Sequence, residues 1–184
     1  MKLSEHKELK AEILSLPLKE KDKLLLRLIA KDKVLTERLH FSLLEDEEDL
    51  RERVISIKRE IEETKIDFAT AREVLLNLRK GLKTINHFSK VTKSNFEEVD
   101  LRIFILSETT TDLKKRSYLS ARNDENLFAV FFVKSILMTI RKFEKLHEDL
   151  QFDLLDDLNK LLEKAYAAKA IVNTAIELGL PKNI

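Results

Sequence analysis

Between Leu50 and Ile85, apolar or small residues recur alternately four and three positions apart: Leu50, Val54, Ile57, Ile61, Phe68, Ala71, Leu75, Leu78, Leu82 and Ile85, with polar Thr64 at one expected position. Such a repeat keeps one seam on one side of a helix, and that seam has to lie against other helices. No proline interrupts it and Gly81 comes only near its end, so an unbroken rod of about 36 residues would be roughly 54 Å long. Glu62, Glu63, Thr64 and Asp67 form a polar patch midway. The register therefore leaves two readings open. Either one helix spans 46–88, or two helices meet at 64–67 with Asp67 capping the second at Phe68. Further apolar residues at Ile55, Ile66, Val74 and Leu76 widen the face beyond a two-stranded coiled coil, which points to packing inside the seam's own domain.

Helices are expected throughout. With 2 glycines and 2 prolines in 184 residues, the tight turns of a β-sheet protein would be hard to build. The length suits a single all-helical domain over 1–184. Leu9, Ile13, Leu14 and Leu16 make a first stripe that Pro17 ends. A second helix, 19–30, should turn Leu24, Leu25, Leu28 and Ile29 inward and Lys19, Lys21, Lys23 and Arg27 outward. Asp32 should cap a third, to Leu44, whose apolar residues lie on all sides and predict burial on more than one. Glu45 to Asp49 place acid at the positive end of the seam helix. Ser94 and Glu97 form a capping-box pair, and 107–112 should interrupt the helix that follows. A short helical piece is expected over 113–121. Asn123 or Asp124 should cap the most apolar helix, 127–143, taken as central. The last helix should stop at Gly179 and Pro181. The total is an all-α bundle of about seven helices.

Several function classes are excluded or disfavoured. There is no cysteine, hence no disulfide, thiolate site or cysteine nucleophile. Formal net charge is +1, from 34 basic and 33 acidic residues, so no overall field attracts nucleic acid. Lys114, Lys115 and Arg116 beside Tyr118 read as ordinary surface. The 127–143 run is broken by Lys134, Arg141 and Lys142 before it could span a bilayer. The first ten residues lack the apolar core of a signal peptide, so a cytoplasmic protein is expected. No glycine-flanked serine or P-loop is present, and no catalytic residue or cofactor is assigned.

One metal hypothesis has a geometric basis. Glu37 with His40, and Glu144 with His147, are Glu-x-x-His pairs that a helix would place on one face, as in two of the four helices of a ferritin-like dimetal bundle. His147 would also lie on the core side with Val133, Ile136, Ile140 and Phe143. Such a site needs lone inward glutamates from two more helices, for which Glu12, Glu97 and Glu108 are unmarked candidates. The acidic group Glu148, Asp149, Asp153, Asp156 and Asp157 lacks the glycine and ligand spacing of a calcium loop and reads as a solvated helix start. Phe128, Phe131, Phe132 and Phe143 read as core.

Leu18 to Leu44, with Lys19-Glu20-Lys21 leading into Leu24, Leu25 and Leu28 and then Leu39-His40-Phe41, resembles the opening of an uncharacterised family of bacterial helical proteins. Ala71-Arg72-Glu73 followed by Val74, Leu75 and Leu78 is similar to that family's next segment. The resemblance implies a helical fold with a break near Asp67 and supplies no site. The expected function is a non-catalytic interaction or scaffold protein, its partner another protein or a second copy bound through exposed seam residues. The alternative is the dimetal enzyme or metal-storage bundle.

Overall fold

The computed structural model describes residues 5–66, 69–114 and 119–184, with the backbone alone over 119–122. Among the described residues there are helices and no strands: α1 (Lys7–Ser15), α2 (Leu18–Ile29), α3 (Lys33–Leu44), α4 (Glu47–Glu63), α5 (Ala71–Thr92), α6 (Asn95–Glu108), α7 (Leu119–Phe143), α8 (Glu148–Ala167) and α9 (Val172–Glu177). The all-α class is as expected, with nine described helices in place of about seven. Where the sequence predicts one domain, the chain divides into two compact units, Met1–Glu45 and Asp46–Ile184.

The single helix over 46–88 does not form. At its C-terminus α4 stops with Thr64, whose hydroxyl donates back to the Glu60 carbonyl at 2.8 Å and whose own carbonyl accepts from the Asn77 amide at 2.6 Å. The next helix starts beyond the expected cap: Asp67 and Phe68 lie outside the described residues, and Thr70 caps α5 in a reciprocal box with Glu73. Such a box satisfies two amides that a helix start leaves open. Broken there, the seam folds back on itself, and Ile61, Leu75, Leu78, Leu82 and Ile85 are buried in the core. Leu50, Val54 and Ile57, at the start of the seam, are half-buried. Of the residues expected to widen it, Val74 is buried but Ile55, Ile66 and Leu76 are exposed.

The central helix of the bundle is α6, not the 127–143 helix. It packs against α4, α5, α7 and α8, and Val99, Leu101, Ile103, Ile105 and Leu106 are buried, while Asp100, Phe104 and Ser107 on the remaining side are half-buried. Ser94 is its N-cap residue as predicted, but the Ser94 hydroxyl donates to the Glu97 carboxylate and forms no bond to a helix amide. Cross-helix bonds give the directions. Lys58–Asp100 (2.8 Å) and Lys65–Glu108 (2.9 Å) set α4 parallel to α6. Ser89 to Glu98 (2.6 Å) and Lys142 to Glu98 (3.1 Å) set α5 and α7 antiparallel to it. Lys164, near the end of α8, reaches the end of α6, so α8 runs with α6.

Two further expectations shift. Asn123 and Asp124 do not cap the apolar helix, which is already under way at Leu119. The final helix divides at Ala168, and α9 ends as predicted at Gly179, whose φ of +67° suits glycine in a helix C-terminal turn.

Candidate functional site

Few polar side chains converge inside 46–184, and the tightest group centres on Glu98, which is 3% exposed. Its carboxylate accepts from the Ser89 hydroxyl of α5 (2.6 Å), Arg102 Nε of α6 (2.9 Å) and Lys142 Nζ of α7 (3.1 Å). Arg102 also donates to the Asn86 side chain. Burial pushes the Glu98 carboxyl up, but the bonds from Ser89, Lys142 and Arg102 and the Arg102 charge outweigh it, leaving the group below its ordinary value. A carboxylate held ionised and saturated with donors is a poor proton acceptor, so this group ties three helices together without a general-base role.

At the far end of α6, the Lys164 ammonium donates to the carbonyls of Ser107 and Thr109, the latter at 2.6 Å. These are carbonyls that a helix end leaves without intrahelical partners. Burial pushes the lysine down, Glu108 opposes the shift and Lys65 adds to it. Lys65, Glu108, Thr109 and Thr110 line a cleft together with Ile61, Val74, Leu78 and Ile105. A second groove runs past Lys58, Asp100, Phe104, Ser107, Asp157 and Lys160. In both, the charged groups pair with each other: Lys65 with Glu108, Lys58 with Asp100 and Lys160 with Asp157 at 2.8 Å. Neither holds a nucleophile beside a base.

The residues proposed for a metal lie apart from that chemistry. Glu37 and His40 are exposed on α3, and His40 Nδ1 is 2.8 Å from the Glu45 carboxylate. Glu144 and His147 do not share a helix face, because α7 ends at Phe143 and His147 is the N-cap residue of α8, its Nδ1 accepting from the Asp149 amide at 3.4 Å. His147 is thus exposed, not turned to the core. Among the described residues no group of three or more histidines and carboxylates converges. Phe128, Phe132 and Phe143 are buried, and Phe131 is half-buried beneath the Arg79 guanidinium at 5.0 Å. Glu148, Asp149, Asp153, Asp156 and Asp157 are exposed on α8. Of the basic run, Lys114 is outside a helix, its amide bonded to the Ala69 carbonyl at 2.9 Å; residues 115–118 lie outside the described residues. No described helix is long and apolar enough to cross a membrane.

The unit 1–45 is unlike the bundle. None of its described residues is buried. Leu14, Leu18, Leu25, Leu26, Leu28, Leu43 and Leu44 are 54–74% exposed. Leu25 and Leu28 were expected inward and α3 was expected to be buried on more than one side; the structure shows neither. The reason lies in the spread of apolar positions. At about 100° per residue, those of α2 cover roughly 200° of its circumference. Leu24 and Ile29 are half-buried where α2 and α3 pack together, and that single contact leaves the rest of the arc open. The breadth of this arc is the available signal: packing against α3 along one stripe cannot cover it. Comparison with family models, curated proteins and solved structures finds no match for the chain.

Proposed function

We propose that the protein is a non-catalytic interaction protein, in which the bundle 46–184 carries helices α1–α3 as a docking element. The observation behind this reading is the combination of seven open leucines and no buried residue among the described residues of 1–45. A chain that leaves so much leucine uncovered offers a surface suited to meeting another molecule. The absence of a nucleophile–base pair from the charged clefts is consistent with it. Cytoplasmic residence and a bacterial source belong to the same reading.

Affinity isolation from the cell that makes the protein tests it, with the full chain and a Leu25→Glu, Leu28→Glu variant compared side by side. Both substitutions are at exposed positions, so the bundle's thermal unfolding should be unchanged. The reading requires a protein retained on the wild type and lost on the variant. Identical sets of captured proteins would overturn it.

A further inference from the structure

We infer that the leucine faces of α1–α3 are covered by the same faces of a second copy of this chain, in a two-fold pairing. The inference rests on the interaction reading above and names the partner.

Three observations favour a copy of the same segment. The first is the need for a partner at all. Helices of 9, 12 and 12 residues are at or below the length at which isolated helices are marginal in water. A unit of about 40 residues ordinarily needs disulfides, a metal or oligomerisation to hold its shape. Cysteine is absent from the sequence, and the described residues hold no cluster of metal-ligand type. Contact with a further apolar surface is the remaining route.

The second is area. Taking on the order of 150 Å² for a fully exposed leucine, the seven open leucines present about 700 Å² per chain. A standard protein interface buries about 800 Å² on each partner, so the open leucines of the three helices taken together come near what a stable dimer needs. A two-fold pairing covers both faces at once with the same residues.

The third is charge. Residues 1–45 carry ten lysines and arginines and eight aspartates and glutamates, so two copies barely repel. On α2 the polar side mixes Lys19, Glu20, Lys23 and Arg27, a flank in which opposite signs can meet across a two-fold axis.

The test is the mass of the purified full-length chain by sedimentation equilibrium between 1 and 200 µM, numbers chosen to bracket roughly micromolar association. The expected result is a reversible monomer–dimer equilibrium. Leu25→Glu with Leu28→Glu should weaken it at least about tenfold, or about 1.4 kcal/mol, while Phe152→Glu, at an exposed position of the bundle, should leave it unchanged. The circular dichroism melt of each variant shows that the bundle is folded. A constant monomer mass, an assembly larger than two, or a dimer lost with Phe152→Glu and kept with the leucine variant would overturn the inference. A monomer that still captures a leucine-dependent partner from cells leaves the interaction reading standing, so the two fail separately.

Discussion

Glu98 occupies a place where a carboxylate is costly, and donors from α5, α6 and α7 keep it ionised. Removing its charge leaves Arg102 and Lys142 facing each other without the anion between them. Glu98→Gln should therefore cost about 3 kcal/mol at pH 7, measured by urea unfolding. The pH dependence has a definite sign. The folded carboxyl lies below the ordinary 4.5, so its stabilisation is complete above that value and is lost as pH falls through the folded pKa. The gap between wild type and Glu98→Gln should accordingly narrow at pH 3. A gap that stays constant from pH 7 to pH 3 would show that the ionised form of Glu98 has no special role.

Helix ends carry most of the local definition in this chain. Asp46 with Asp49 and Thr70 with Glu73 form reciprocal boxes at the starts of α4 and α5. The end of α5 is less favourable, since Lys93 has a φ of +59°, in the left-handed region that costs a side-chain-bearing residue about 1 kcal/mol or more. Lys93→Gly should raise the midpoint of thermal unfolding and the unfolding free energy by about 0.5–1 kcal/mol; a loss of stability would mean that the lysine side chain is needed there. These ends also show what was legible in the sequence. Pro17, Asp32, Ser94 and Gly179 marked boundaries correctly because capping is local chemistry. Thr70 was missed although Thr70-x-x-Glu73 is a capping-box pattern, because Asp67 lay nearer to the expected break. The Glu98 group was illegible for another reason: an acid and a base four residues apart on a helix usually read as a surface pair. Its burial depends on Ser89 and Lys142, which only the tertiary fold brings near. The same limit hid the centrality of α6, whose 14 residues are fewer than the 25 of α7. Its neighbours, not its own apolarity, decide its place.

The division at Glu45 separates a unit with a core from one without. A chain comprising 46–184 alone should fold to a helical protein with a cooperative melt, because the main hydrophobic cluster lies wholly within it. Calorimetry of that fragment tests this, and a broad, non-cooperative transition would refute it. The directions of the helices have an electrical consequence. Of the five long helices of the bundle, α4, α6 and α8 run one way and α5 and α7 the other, so three of these backbone dipoles point in one direction and two in the opposite one. Lys65 and Lys164 sit at the carbonyl ends of α4 and α6. Glu47, Glu48, Glu97, Glu148 and Asp149 fill the first turns of α4, α6 and α8. Within 46–184, acidic side chains stand at the amide ends of α4, α6 and α8 and lysines at the carbonyl ends of α4 and α6, answering the direction in which the peptide groups of those helices point.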